Sequence, residues 1–401
     1  MKIAIVSDMH LGYERFLEDA FAQAKEALEK ASAMADAIIV PGDIFDKRYP
    51  KPEIIAQAIN LFRDISSKTY AASITSYTGN GRIYTKAPII AIPGTHERIA
   101  AGKENAVQLL SLAGLLADTS EATTVISKGN EKVAVFGLGG VSDEMAKDEI
   151  LRLSPKPVAG AFNIFVLHQS IYEMLPFSDR FIKYSDLPKG FDLYICGHMH
   201  SRVEAEVNGK KLLVPGSTVL TQLKGEEQGR KGFILFDTQS YEHKFISIDS
   251  RPFIVEEVHT DGAQPDSVVK ECENRILKNI PESKRAPIIK LKIFGNATKG
   301  YDKIDTATRE LAAKYSKKAF IFFDTQQLKS REAEQMINEV RNGKVDDMPV
   351  KELGIYMLMN KLNEAKMRKD FKATELFNLL SSGENKEKVI KEASRLLLEE
   401  D

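Results

Sequence analysis

Cysteine is almost absent: 401 residues hold two, Cys196 and Cys272, far apart in the chain. That excludes a disulfide framework and fits a reducing compartment. Long apolar runs are missing too. No stretch approaches the roughly 20 apolar residues that a membrane span needs. The first residues, Met1-Lys2-Ile3-Ala4-Ile5-Val6-Ser7-Asp8, lack the extended apolar segment of a leader and read as an opening strand. Nor is there an excess of one charge. Charged residues make up 28% of the chain, yet the formal net charge is -1. Any affinity for nucleic acid therefore has to come from local patches. A hydrophobic fraction of 43% is ample for a core. The length suggests two or three domains, and the expectation is a soluble intracellular protein with no membrane attachment.

What is present is a series of short apolar runs, each followed by polar residues of particular kinds. Ile3 to Val6 delivers Asp8 and His10. Ala37 to Val40 delivers Gly42-Asp43, and Pro88 to Ile92 delivers Gly94-Thr95-His96-Glu97. Helix-favouring stretches separate them, from about Glu14 to Ala35 and from Pro52 onward, with residues 66–87 reading as a polar excursion or hairpin. Phe162 to Leu167 delivers His168, and Phe191 to Ile195 delivers Cys196-Gly197-His198-Met199-His200. Continuous apolar runs of this length suit strands buried on both faces. Asn208-Gly209 between Val203–Val207 and Lys211–Val214 predicts a hairpin, with strands at 232–236 and 244–248 after it. Alternating βα units followed by hairpins predict an α/β fold in which two sheets form a sandwich flanked by helices.

Five of the seven histidines (His10, His96, His168, His198 and His200) and two aspartates, Asp8 and Asp43, therefore fall at strand ends. In open α/β sheets ligands gather at the carboxyl ends of strands. Mixed Asp and His ligation suits manganese, iron or zinc better than magnesium or calcium. Asp43, near the middle of the set, can bridge two ions. Two ions clamp a phosphate and orient a hydroxide for in-line attack, so the set predicts a two-metal phosphoesterase. His243 and His259 lie outside the pattern and read as solvated or structural. Cys196 reads as buried strand filler. Lys47-Arg48-Tyr49-Pro50-Lys51 reads equally as a contact for phosphate or as a solvated basic loop, and Arg180, Lys183 and Tyr184 are candidates for contact with nucleic acid.

The order Asp-x-His, Gly-Asp, Gly-x-His-acid, His, Gly-His-x-His resembles that of the calcineurin-like metallophosphoesterases. Within them, Ser7-Asp8-Met9-His10-Leu11-Gly12, Gly42-Asp43-Ile44-Phe45-Asp46, and Leu167-His168-Gln169 with Pro176-Phe177 look like the archaeal Mre-eleven nucleases of double-strand-break repair. The resemblance implies that Asp8, His10 and His200 hold one manganese ion and His168 and His198 a second, with Asp43 bridging. His96 then faces the scissile phosphate and binds no metal. The chain departs from the family at Thr95, where an asparagine ligand is usual, and at Glu97, where aspartate is usual. The first departure implies a weaker or altered second metal site. The second leaves an acid on a longer arm that can still orient His96.

The same resemblance implies a domain order: a nuclease domain over 1–251, a small α+β capping and DNA-binding domain over 252–328, a linker over 329–349, and a helical segment over 350–401. Its expected partners are DNA, a Rad-fifty-type coiled-coil ATPase reached through the C-terminal helices, and a second copy of the chain. The implied activity is that of a 3'-5' exonuclease and single-strand endonuclease, cytoplasmic or nucleoid-associated. The alternatives are another metal-dependent phosphodiesterase, or a scaffold with weakened catalysis, which Thr95 alone suggests.

Overall fold

The computed structural model describes residues 1–78, 85–100, 102–175, 178, 180–260, 262–280, 285–297, 301–325 and 328–330. The chain opens with β1 (Lys2–Ile5), α1 (Leu17–Met34), β2 (Ala37–Pro41), α2 (Pro52–Ser66), β3 (Ser73–Tyr77) and β4 (Ile89–Ile92). Next come α3 (Ala106–Leu112), β5 (Ala117–Asp118), β6 (Thr123–Lys128), β7 (Glu131–Leu138), α4 (Asp143–Leu153), β8 (Phe162–Leu167) and β9 (Leu193–Cys196). A hairpin of β10 (Val203–Val207) and β11 (Lys210–Val214) precedes β12 (Gly232–Asp237) and β13 (Glu242–Ser247). The remainder is β14 (Phe253–His259), α5 (Pro265–Asn279), β15 (Ile288–Ala297), α6 (Tyr301–Tyr315), β16 (Phe320–Asp324) and β17 (Leu328–Ser330).

Two large sheets result. One runs β13-β12-β1-β2-β4-β5, the other β10-β11-β9-β8-β7-β6-β3. Strands β1, β2, β4 and β5 are parallel in the first, and β7, β8, β9 and β11 in the second. Strand alternation assigns each side chain to a layer. Ile3, Ile5 and Ile39 meet Val133, Ile164, Val166 and Ile195 between the sheets. Ala4, Val6 and Val40 turn the other way, onto Ala27, Leu28 and Phe62 of α1 and α2. On the far side Phe165, Leu167 and Tyr194 pack with Ala146 and Ile150 of α4. The order is helix, sheet, sheet, helix, which is the expected α/β sandwich. Both sheets are covered on both faces, and that is why their central strands read as unbroken apolar runs.

The stretch 66–87 differs from its sequence reading. It contributes β3, which pairs antiparallel with β6 some 50 residues on. Both strands are rich in Thr and Ser, and β3 is a half-exposed edge strand, so neither shows an apolar run. By contacts the described chain falls into two units. The first takes Met1–Glu257, Lys270–Lys292 and Thr308–Asp324; the second takes Val258–Val269, Ile293–Ala307 and the described residues from Thr325 on. Within the first, Ile288 to Lys292 of β15 pairs in parallel with β16; within the second, Gly295 to Ala297 pairs with β17. Apart from Lys329 and Ser330, the expected linker and helical segment (329–401) lie outside the described residues, as do Pro176 and Phe177.

Phe62 is fully buried between α2 and the first sheet. Phe62→Ala is expected to cost about 3–5 kcal/mol, read as a lower unfolding midpoint in urea.

Candidate metal centre

The parallel strands bring their carboxyl ends to one edge of the sandwich. Residues after β1 and β2 continue side by side: Asp8 N–H donates to Gly42 O (3.3 Å), His10 N–H to Asp43 O (3.0 Å) and Leu11 N–H to Ile44 O (2.8 Å). The loops are tightly turned. Asp8, His10, Asp43 and His198 have φ of 50°, 46°, 48° and 79°, a left-handed region that costs a non-glycine residue about 1–3 kcal/mol and persists only where the surroundings over-determine it. Two glycines are required by close approach. A Cβ on Gly42 would lie 2.2 Å from His168 Nδ1, and one on Gly94 would lie 2.2 Å from Asp43 Oδ1.

Two groups of metal-ligating atoms form there: Asp8, His10 and His200, and Asp43, His168 and His198. Asp43 Oδ2 stands 3.2 Å from His168 Nε2 and 4.0 Å from His10 Nε2, so it reaches toward both groups. His10 Nε2 lies 3.1 Å from His200 Nε2, and Asp8 Oδ1 lies 4.0 Å from the latter. The donor set fits a divalent cation. His168 Nδ1 faces the Pro41 carbonyl at 2.7 Å and must donate to it, since a carbonyl only accepts. That points Nε2, which is buried without a hydrogen-bond partner, at a carboxylate oxygen. Two electron-rich atoms in contact call for a positive charge between them. Burial opposes a proton on His168, but the Asp43 carboxylate overrides this and pushes its pKa up to about 10. Despite its own burial, Asp43 is driven below the usual carboxylate range by His168 and His10. Burial, and then His168, lower the pKa of His198, which favours the neutral ligating form.

His96 is exposed, and with His10 and Asp46 it forms a third, overlapping group of ligating atoms. Its N–H donates to Asp43 Oδ1 (2.9 Å), and its Nδ1 donates to the Asp46 carbonyl. Nε2 is thereby left as the nitrogen available to a substrate. Thr95 Oγ1 lies 3.4 Å from His198 Nδ1, beside the second ligand group. Glu97 departs from its expected role. Its carboxylate does not hold His96; it accepts backbone N–H groups from Asp43 (3.1 Å), Phe45 (2.6 Å) and Gly94 (2.7 Å). The longer side chain reaches back across the loop and ties the Asp43 turn to the Gly94 turn. Burial, and then the adjacent Asp43 carboxylate, push Glu97 up to about 8.

Four residues of the setting were not among the expected site residues. Asp46 places its carboxylate 3.4 Å from His10 Nδ1 and gives its carbonyl to His96. Its place three residues after Asp43 was the available signal. Thr221 meets His200 Nδ1 through its hydroxyl. Glu227 and Lys231 form a buried pair behind His200, 2.8 Å apart. Burial opposes the Glu227 charge, but His200 and Lys231 bring its pKa down to about 2. Nothing in the sequence from Lys224 to Lys231 marks it as lying against a ligating histidine. Arg180 and Lys183 line a separate surface cleft with Glu144, Lys147 and Asp186.

Gly94→Ala is expected to force Asp43 off its position, because the new methyl meets both its Oδ1 and its backbone N. Manganese affinity should fall about tenfold or more, measured by calorimetric titration, with circular dichroism unchanged.

A family model described as calcineurin-like phosphoesterase matches residues 1–202. The chain is 27% identical over 303 residues to the double-strand break repair protein MRE11 of Encephalitozoon cuniculi, covering 69% of this chain and 52% of that protein. To MRE11 of Homo sapiens it is 26% identical, covering 70% and 46%. To the DNA double-strand break repair protein Mre11 of Sulfolobus acidocaldarius it is 24% identical, covering 74% and 75%. The chain thus spans about half the length of the eukaryotic relatives it matches. Eukaryotic and archaeal relatives match at similar identity, so the comparison does not single out the archaeal branch. With the family's pattern matched over half of its length, and with the ligand groups in place at the strand ends, the chain belongs to the calcineurin-like phosphoesterases.

Proposed function

We propose that the chain is a two-metal, manganese-dependent DNA nuclease of double-strand-break repair, with 3'-5' exonuclease and single-strand endonuclease action. The observation that carries this reading is the division of labour at the strand ends: two ligand groups lie side by side, Asp43 of one stands 4.0 Å from His10 of the other, and a seventh side chain, His96, is held beside them by a main-chain carbonyl. Asp8, His10 and His200 would hold one ion and His168 and His198 the other, with Asp43 as the residue that would serve both. When bound, the two ions supply a hydroxide and neutralise charge on the phosphodiester. His96 approaches the scissile phosphate through Nε2 and steadies the charge or protonates the leaving oxygen. The Thr95 hydroxyl, 3.4 Å from His198 Nδ1, would offer the second ion a weaker neutral oxygen than an amide.

Nucleic acid as substrate is supported by the repair proteins that the chain resembles and by the loop after Asp46. Tyr49 is 68% exposed, between exposed Arg48 and Lys51. An aromatic face flanked by cations suits a base and its phosphates. The segment 252–328 is read as the capping domain, with 329–349 as the linker and 350–401 as helices that bind a Rad-fifty-type coiled-coil ATPase. A homodimer completes the proposed assembly. Among the described residues no helix is long and apolar enough to cross a membrane.

The test is manganese-dependent cleavage of labelled duplex and single-stranded DNA, with EDTA as the blank. His96→Ala should lower kcat about 10²–10⁴-fold while manganese affinity stays within twofold. Hydrolysis of a generic phosphodiester with no cleavage of DNA would overturn the nuclease reading. Thr95→Asn should tighten the weaker of two manganese-binding events, read by the same titration. An unchanged isotherm would show that residue 95 is not at the second ion.

A further inference from the structure

A buried ion pair behind His200 plays no part in the phosphoesterase chemistry. Glu227 and Lys231 are 5% and 8% exposed. Burying two charges is a poor way to gain stability, since well-packed apolar residues often do as well or better. What this pair holds is informative. Lys231 Nζ donates to Glu227 Oε2 (2.8 Å), to Ser217 Oγ (2.8 Å) and to the main-chain carbonyl of His200 (3.2 Å). All three ammonium protons are thereby engaged. Glu227 Oε1 accepts the Gln222 N–H (2.7 Å), and Oε2 accepts the Thr221 N–H at a looser 3.4 Å. The Thr221 hydroxyl meets His200 Nδ1. Tyr13 adds a hydrogen bond from its hydroxyl to the Thr221 carbonyl (2.7 Å).

His200 is therefore gripped twice by one pair. Lys231 fixes the backbone that carries the imidazole, and Glu227 fixes the backbone that carries the hydroxyl facing it. Nε2 is left aimed at His10 and Asp8. Outer contacts of this kind set the orientation of a ligating imidazole. No such contact runs from the pair to His168, whose Nδ1 is held by the Pro41 carbonyl instead.

We propose that Glu227 and Lys231 are positioning residues that set the metal affinity of the Asp8–His10–His200 group and leave the Asp43–His168–His198 group unaffected. The proposal rests on the metal-centre reading above. It makes the two sites separately adjustable, one through a charged pair and the other through a carbonyl.

The test is calorimetric titration of the full chain with manganese, comparing wild type, Glu227→Gln, Lys231→Met and His200→Ala. Leu110→Ala, in the helix-covered core, is the control for simple loss of stability. Glu227→Gln keeps the side-chain size and an acceptor for Gln222 N–H while removing the charge. The expected result is that Glu227→Gln and Lys231→Met weaken one of two binding events about 10–100-fold, the same event that His200→Ala removes. The other event stays within twofold. Leu110→Ala should lower Tm and leave both affinities in place. The proposal is overturned if both affinities of the pair variants match wild type, or if both decline together in step with Tm. Wild type that takes up no manganese, or His200→Ala that alters neither event, would overturn the metal-centre reading and the proposal with it.

Discussion

Much of the site depends on where the Asp43 carboxylate sits. Oδ2 faces His168 and His10, Oδ1 takes the His96 N–H, the backbone N–H goes to Glu97, and the backbone carbonyl takes the His10 N–H. One residue thus touches both ligand groups and the non-ligating histidine. It can do so because β1, β2 and β4 are parallel neighbours, with β2 between the other two. An antiparallel middle strand would have sent Asp43 to the opposite edge. Sheet direction, fixed by the helical crossovers, is therefore the first determinant of the chemistry.

The cost of this convergence is electrostatic and conformational. Asp8, Asp43 and Glu97 are all buried within a few residues' reach of one another. The negative charge of the two aspartates is met partly by backbone N–H groups, His198 N–H for Asp8 (3.1 Å) and His96 N–H for Asp43, while the Glu97 carboxyl, whose pKa is pushed up to about 8, accepts three more. Turning the chain so that these amides point inward needs left-handed residues, and the site has four that are not glycine. The strain and the charge stabilisation are two sides of one arrangement. A bound cation would relieve the remaining charge, so the protein should gain stability on loading.

Much of this was legible in the sequence for one physical reason. A strand buried on both faces has no room for charge, so a polar residue that ends it marks the sheet edge. Ile3–Val6 before Asp8 and Leu193–Cys196 before His198 carry that mark. Asp8, His10, Asp43, His168, His198 and His200 follow from it as one set; their division into two groups came from the family resemblance, and the structure brings the same triples together. A half-exposed edge strand carries no such mark, and so Ser73–Tyr77 does not stand out in the sequence. Side-chain direction was equally hidden. Glu97 next to His96 suggests a partner for it, yet neighbours in a turn point apart, and the carboxylate serves the backbone of three other residues. Glu227 and Lys231 look like ordinary surface charges because nothing local says that the loop folds inward under His200.

His96 and His168 share one feature: each is held at Nδ1 by a main-chain carbonyl, of Asp46 and Pro41 respectively. Every amino acid brings the same carbonyl. The tautomer of His96 therefore depends on the backbone at 46 and not on which side chain stands there. Replacing the acid that faces His10 would leave that carbonyl in place, and with it the hydrogen bond that sets the tautomer of His96.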